Sequence, residues 1–125
     1  MHLAGCSTAP DTSKSGPAKP AVAKQTSIVD IQVFRDETVI RMTNTTAKPL
    51  GPGRMWINNW FSRSFDGLGV GQTAVLQLNE FRDQYGAAFR AGGFFAADRP
   101  DTIVLAQIET GGELIGLVVV GERMY

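Results

Sequence analysis

Carboxylates carry most of the chemistry this chain could offer, because histidine occurs only as His2 and cysteine only as Cys6. Three acidic pairs lie close in sequence: Asp36 with Glu37, Asp98 with Asp101, and Glu109 with Glu113. Paired carboxylates can perform glycosidase-type acid/base work or hold calcium. All three pairs fall in or beside turn-forming stretches, where acidic side chains bond the local backbone, and none has the spacing of a calcium loop. With no histidine after position 2, the remainder of the chain has no imidazole for a catalytic triad, a zinc site or a general base. Ser62 and Ser64 therefore have no histidine to activate them, Asp66 reads as a turn cap before Gly67, and a serine–lysine pair would need the distant Lys48. Ala91-Gly92-Gly93 and Gly51-Pro52-Gly53 read as turn or bulge glycines rather than phosphate loops, since no switch from strand to helix follows either. The expectation is a non-enzyme with no catalytic residue, cofactor or metal site.

The elements around these residues are strands. Up to residue 27 the chain is a polar spacer with three prolines and one large aliphatic residue, Val22, in residues 7–27. Such a composition predicts disorder and an r.m.s. span of roughly 25 Å. From Ile28 onward, short runs rich in β-branched and aromatic residues alternate with turn residues, a rhythm that predicts an all-β fold, a single antiparallel β-sandwich of seven to eight strands. The predicted strands cover residues 28–35, 38–45, 54–58, 60–65, 73–79, 88–96, 101–109 and 113–121. Residues 79–90 admit two readings, a short helix with Phe81, Tyr85, Ala88 and Phe89 on one side, or a turn at Asp83-Gln84-Tyr85-Gly86. The domain division is 1–6, 7–27 and 28–125.

Two hairpins can be assigned at residue level. Gly111-Gly112 suits a type I′ turn, whose central residues both need positive φ, and it sets Ile108 opposite Ile115, Ala106 opposite Leu117 and Val104 opposite Val119. Asn58-Asn59 suits the same turn because asparagine tolerates the left-handed region, and a two-residue loop there sets Ile57 opposite Trp60, Trp56 opposite Phe61, Met55 opposite Ser62 and Arg54 opposite Arg63. That register places Arg54, Trp56, Phe61 and Arg63 on one face. If exposed, the four would form a partner-binding surface of rigid aromatic area and forked donors suited to an acidic partner; if buried, they are core with arginines reaching out from the rim.

Charge excludes one partner class. Twelve basic and twelve acidic residues cancel, and a chain without a basic stripe lacks the electrostatic footprint of a nucleic-acid binder. Asn44-Thr45-Thr46 fits the N-glycosylation acceptor pattern, a short motif that carries little weight by itself.

At the N-terminus, Leu3-Ala4-Gly5-Cys6 resembles the lipobox of bacterial lipoproteins. The resemblance implies cleavage before Cys6, acylation of its thiol and amine, and attachment to a membrane. Only Met1 and His2 precede Leu3, so the charged and apolar parts of a signal are expected upstream. Ser7 is not the aspartate that resembles an inner-membrane retention signal, which implies an outer-membrane lipoprotein facing the periplasm. The strand rhythm of residues 28–125 resembles immunoglobulin-like domains of bacterial envelope lipoproteins, without the cysteine-tryptophan-cysteine framework of true immunoglobulin domains. Together these imply a lipid-anchored, non-catalytic accessory or assembly lipoprotein of the cell envelope that contacts a protein or a glycan. The alternatives are a small-ligand carrier or histidine-independent enzyme, and a structural subunit of a surface assembly.

Overall fold

The computed structural model describes residues 17–21, 24–93 and 99–120. Its strands are β1 (Ser27–Asp36), β2 (Val39–Thr43), β3 (Gly53–Ile57), β4 (Phe61–Phe65), β5 (Thr73–Gln77), β6 (Ala106–Thr110) and β7 (Glu113–Val120), with a 3-10 turn at Leu78–Glu80. The chain is all-β among the described residues. Its seven strands form one sheet in the order β4-β3-β6-β7-β1-β2-β5, curled into a half-barrel.

That arrangement corrects the expected antiparallel sandwich. The first and last strands, β1 and β7, pair in parallel, with Val33 opposite Val119 and Phe34 opposite Val120, while every other pairing is antiparallel. Strand rhythm fixes how many strands there are and which residues share a face, but it contains nothing about whether two distant strands run the same way.

Period-2 alternation decides what is buried. On β1, Ile31, Val33 and Arg35 point to the inner face and are buried, whereas Asp30, Gln32 and Phe34 point outward. Ile40 and Met42 of β2, Met55 and Ile57 of β3, and Ile108 of β6 continue the inner face. A one-layer sheet must still cover that face. The curl does part of this, and the long connection from β5 to β6 does the rest, laying Leu78, Phe81 and Phe89 into the core.

Over 88–93, the described part of the expected strand 88–96, the connection forms no strand. Its described part is non-strand apart from an isolated bridge between Arg82 and Ala88, and residues 94–98 lie outside the described residues. Residues 101–105 are likewise not strand, so β6 begins at Ala106. Between Phe81 and Phe89 the turn reading holds: Gly86 donates to the Asp83 carbonyl at 3.1 Å, and Phe89 donates to the Phe81 carbonyl at 2.8 Å. Asp83 braces it by accepting from the N–H groups of Tyr85 and Ala87, each at 2.9 Å.

Arg35 fastens this connection to the sheet. Its guanidinium is buried, donating to the main-chain carbonyls of Glu37 (3.0 Å), Ala91 (2.9 Å) and Asp101, and lying over the Phe89 ring at 5.5 Å. Asp101 in turn accepts from the Arg90 N–H at 2.8 Å and from its guanidinium at 3.0 Å. Partial burial pushes the Asp101 carboxyl up. The bonds from Arg90, together with the charges of Arg90 and Arg35, outweigh that and hold it below the usual carboxylate value.

The sequon-like Asn44 has a structural task. Fully buried, it donates to the carbonyls of Lys48 (2.8 Å) and Leu68 (3.0 Å) and accepts from the N–H and hydroxyl of Thr46.

Candidate functional site

The Gly111-Gly112 turn forms as expected, and the ladder runs from Thr110 opposite Glu113 to Gln107 opposite Gly116. The expected pairing of Val104 with Val119 does not form, because residues 101–105 are not strand and Val119 pairs with Val33 of β1. Both glycines have positive φ, and Ile108 lies opposite Ile115. Asn58 and Asn59 also take positive φ, at 57° and 55°, and Trp60 donates back to the Ile57 carbonyl, which is the expected turn. Pairing nevertheless resumes one residue late, with Ile57 opposite Phe61, Trp56 opposite Ser62, Met55 opposite Arg63 and Arg54 opposite Ser64. Trp60 is the extra residue. It stands out of the ladder, with its indole N–H toward Asp83 at 3.3 Å and its ring beside Tyr85.

Because the side-chain period of a strand is two, a one-residue slip moves every residue of β4 to the opposite face. The expected grouping of Arg54, Trp56, Phe61 and Arg63 is therefore divided. Phe61 and Arg63 go to the inner side, where Phe61 meets Phe89 edge-to-face at 5.3 Å and Arg63 pairs with Glu80 at 2.6 Å. Arg54 and Trp56 go to the outer side. Arg54 lies beside Glu109 on β6 and donates to the Ser62 hydroxyl at 2.8 Å. Burial lowers its pKa from the ordinary arginine value, and the charge of Glu109 opposes that shift.

Trp56 is only 1% exposed, although it lies on the outer face. The segment before β1 encloses this region. Ala21 donates its N–H to Glu109 at 2.8 Å, and the other oxygen of the same carboxylate accepts from the Trp56 indole at 3.0 Å. Gln25 accepts from Gln107 at 2.7 Å, and Thr26 donates to the Leu114 carbonyl at 2.9 Å. Gly116 permits this approach, since a Cβ there would come within 2.5 Å of the Gln25 amide oxygen. Trp56 and Leu114 thus form a second buried patch, separate from the inner core. No sequence signal pointed to it, because Pro17, Pro20 and Gln25 read as spacer.

Asn58 is a further positioning residue that sequence reading missed. Its side chain accepts from Val104 (2.8 Å) and Leu105 (3.2 Å) and donates to the Thr102 carbonyl (2.7 Å), fixing the approach to β6.

A concave surface lies on the outer face of β1 and β2. A cleft of about 360 Å³ is lined by Asp30, Gln32, Phe34, Arg41, Thr43 and Thr45, among others. Phe34 stands directly opposite Arg41 and is 37% exposed. The same register brings Gln32 across from Thr43, and the Thr43 hydroxyl bonds that of Thr73 at 2.6 Å. An aromatic ring flanked by a guanidinium, an amide, a carboxylate and hydroxyls can hold a ligand that has both an apolar face and polar edges. The residues that line the cleft include no histidine or cysteine. Among the described residues no group of three or more histidine, cysteine, aspartate or glutamate side chains is placed to hold a metal ion, and no helix is long and apolar enough to cross a membrane.

Cys6, the proposed lipid-attachment residue, lies outside the described residues. Comparison with protein-family models, curated proteins and solved structures finds no match to this chain.

Proposed function

We propose that this chain is a non-catalytic binding domain of a bacterial envelope lipoprotein, anchored through Cys6, which holds a glycan in the β1–β2 cleft. The observation that carries the reading is the exposed Phe34 ring set against Arg41 in a concave surface that also presents Asp30, Gln32, Thr43 and Thr45. Pyranose rings present apolar C–H faces with hydroxyl edges. Such a ring fits over Phe34, while Arg41, Gln32 and Asp30 address the edges; recognition then needs no chemistry from the protein. The Arg54 and Trp56 surface plays no part in this reading, because Trp56 is buried beside the chain's own Ala21, Gln25 and Thr26.

Titration of the full chain with neutral and N-acetylated oligosaccharides tests the site. Phe34→Ala and Arg41→Ala should each weaken binding about tenfold, equivalent to roughly 1.4 kcal/mol, and leave the melting temperature nearly unchanged. Absence of binding to every sugar, or undiminished binding by both variants, would remove the cleft from consideration. Anchoring has its own test. Joined to a lipoprotein signal segment, the wild-type chain should fractionate with membranes and Cys6→Ala should be soluble, because acyl chains contribute about 0.8 kcal/mol per buried methylene. Retention of Cys6→Ala in the salt-washed pellet would rule out attachment through that thiol.

A further inference from the structure

The two edges of the sheet are treated differently. At β4, Ser62 exchanges main-chain hydrogen bonds with Arg82, at 2.9 and 3.0 Å, so the connection caps that edge. No described residue does the same for β5, which pairs with β2 alone.

The phase of the β2–β5 ladder shows which groups of β5 face outward. Asn44 donates to the Gln72 carbonyl at one end and Leu78 donates to the Thr38 carbonyl at the other, both at 2.9 Å. In an antiparallel ladder hydrogen-bonded pairs alternate with non-bonded ones. Ala74 and Leu76 therefore direct their N–H and C=O groups to β2, and Thr73, Val75 and Gln77 direct theirs away from the sheet. Natural edges are commonly protected by lysine, proline or a bulge. Thr73-Ala74-Val75-Leu76-Gln77 has none of these, its register with β2 is uninterrupted, and Val75 is 50% exposed.

We propose that β5 is a homodimer edge, pairing antiparallel with β5 of a second copy about a two-fold axis through Val75. The outward groups are symmetrically placed for this partner. Val75 exchanges both main-chain bonds with its counterpart, and Thr73 exchanges its pair with Gln77 of the other copy. No charge meets a like charge, and the side chains of Val75, Thr73 and Gln77 join the outer faces of the two sheets into one. An isologous contact of this kind closes at two copies. With neighbouring strands about 4.8 Å apart, it would set the β2 strands of the two copies about 14 Å from each other and bring both β1–β2 clefts onto one continuous surface. A single strand pair buries less area than a standard stable interface, so the dimer is weak and depends on concentration.

Sedimentation equilibrium of the full chain up to about 1 mM should show a monomer–dimer equilibrium. Val75→Pro removes the central donor at a position where proline leaves the β2 ladder intact, and should raise the dimer dissociation constant at least tenfold with little change in melting temperature. Val75→Lys, which opposes two like charges across the axis, should do the same. The register has an independent check: Thr73→Lys combined with Gln77→Glu places opposite charges face to face twice, and should give a dimer that weakens as salt is raised. A strictly monomeric wild type overturns the proposal. So does a dimer unaffected by both Val75 variants, or assembly beyond two copies.

Discussion

Arg35→Met is expected to destabilise the full chain by about 3 kcal/mol or more, although methionine is apolar and fits a buried strand position. The wild-type guanidinium satisfies three main-chain carbonyls at once, those of Glu37, Ala91 and Asp101. A buried carbonyl left without a donor costs about 1–3 kcal/mol. Arg35→Lys should recover only part of the loss, because one ammonium cannot reproduce a planar fork that reaches carbonyls on separate segments. Urea denaturation measures both. A loss under about 1 kcal/mol for Arg35→Met would mean that the β5–β6 connection is held by its hydrophobic contacts alone. The neighbouring carboxylate adds a pH dependence of defined sign. Asp101 has a folded-state pKa below its unfolded value, so its contribution is present above the ordinary carboxylate pKa of 3.8 and is lost as pH falls through the folded value. Stability should therefore decline in that acidic window in the wild type, and Asp101→Asn should flatten this part of the profile.

The second large effect concerns Trp56. Truncating a buried tryptophan to alanine costs about 3–5 kcal/mol, and Trp56→Ala should fall in that range even though the residue is on the outer face. Trp60→Ala, at a residue 40% exposed, should cost far less. Deleting residues 1–26 should also destabilise, since it strips away Ala21, Gln25 and Thr26, and it should shift tryptophan emission to longer wavelength. Because the deletion and Trp56→Ala remove the same contacts, their combined cost should be smaller than their sum. Strict additivity, or an unchanged melting curve after the deletion, would show that the segment contributes nothing to Trp56 burial.

Local features of this fold were legible wherever a short-range rule applied. Gly111-Gly112 fixed its hairpin because two positive φ values leave little alternative, and Asn58-Asn59 correctly located a turn. Trp60 was not legible as a bulge. Whether a strand resumes one residue after a turn or immediately depends on which face of β4 can be covered, and that is set by Phe89 and Glu80, far away in sequence. The candidate surface failed for this reason, since its four members were individually well chosen but were assigned to a common face by the wrong register. The parallel contact of β1 with β7 and the approach of Ala21, Gln25 and Thr26 to the Trp56 side of the sheet are also long-range, and composition identified the segment before β1 only as polar and proline-rich. The cleft on β1 and β2 joins Phe34 to Arg41 across the hairpin turn at Glu37-Thr38. Strands at 28–35 and 38–45 were predicted without being paired to each other, and the concavity arises only with the twist of the assembled sheet.

The position of β7 has a consequence for the order of folding. It is the last described strand along the chain, yet it lies inside the sheet between β6 and β1. Until β7 is available, β1–β2–β5 and β4–β3–β6 are two separate three-stranded fragments, each with an apolar face and an additional unpaired edge. Such species join late, through contacts of high sequence separation, and are prone to aggregate while they wait. A nascent chain cannot complete this sheet while β7 is still unmade, so a chaperone that shields apolar strands during synthesis would act on the two half-sheets rather than on the finished domain.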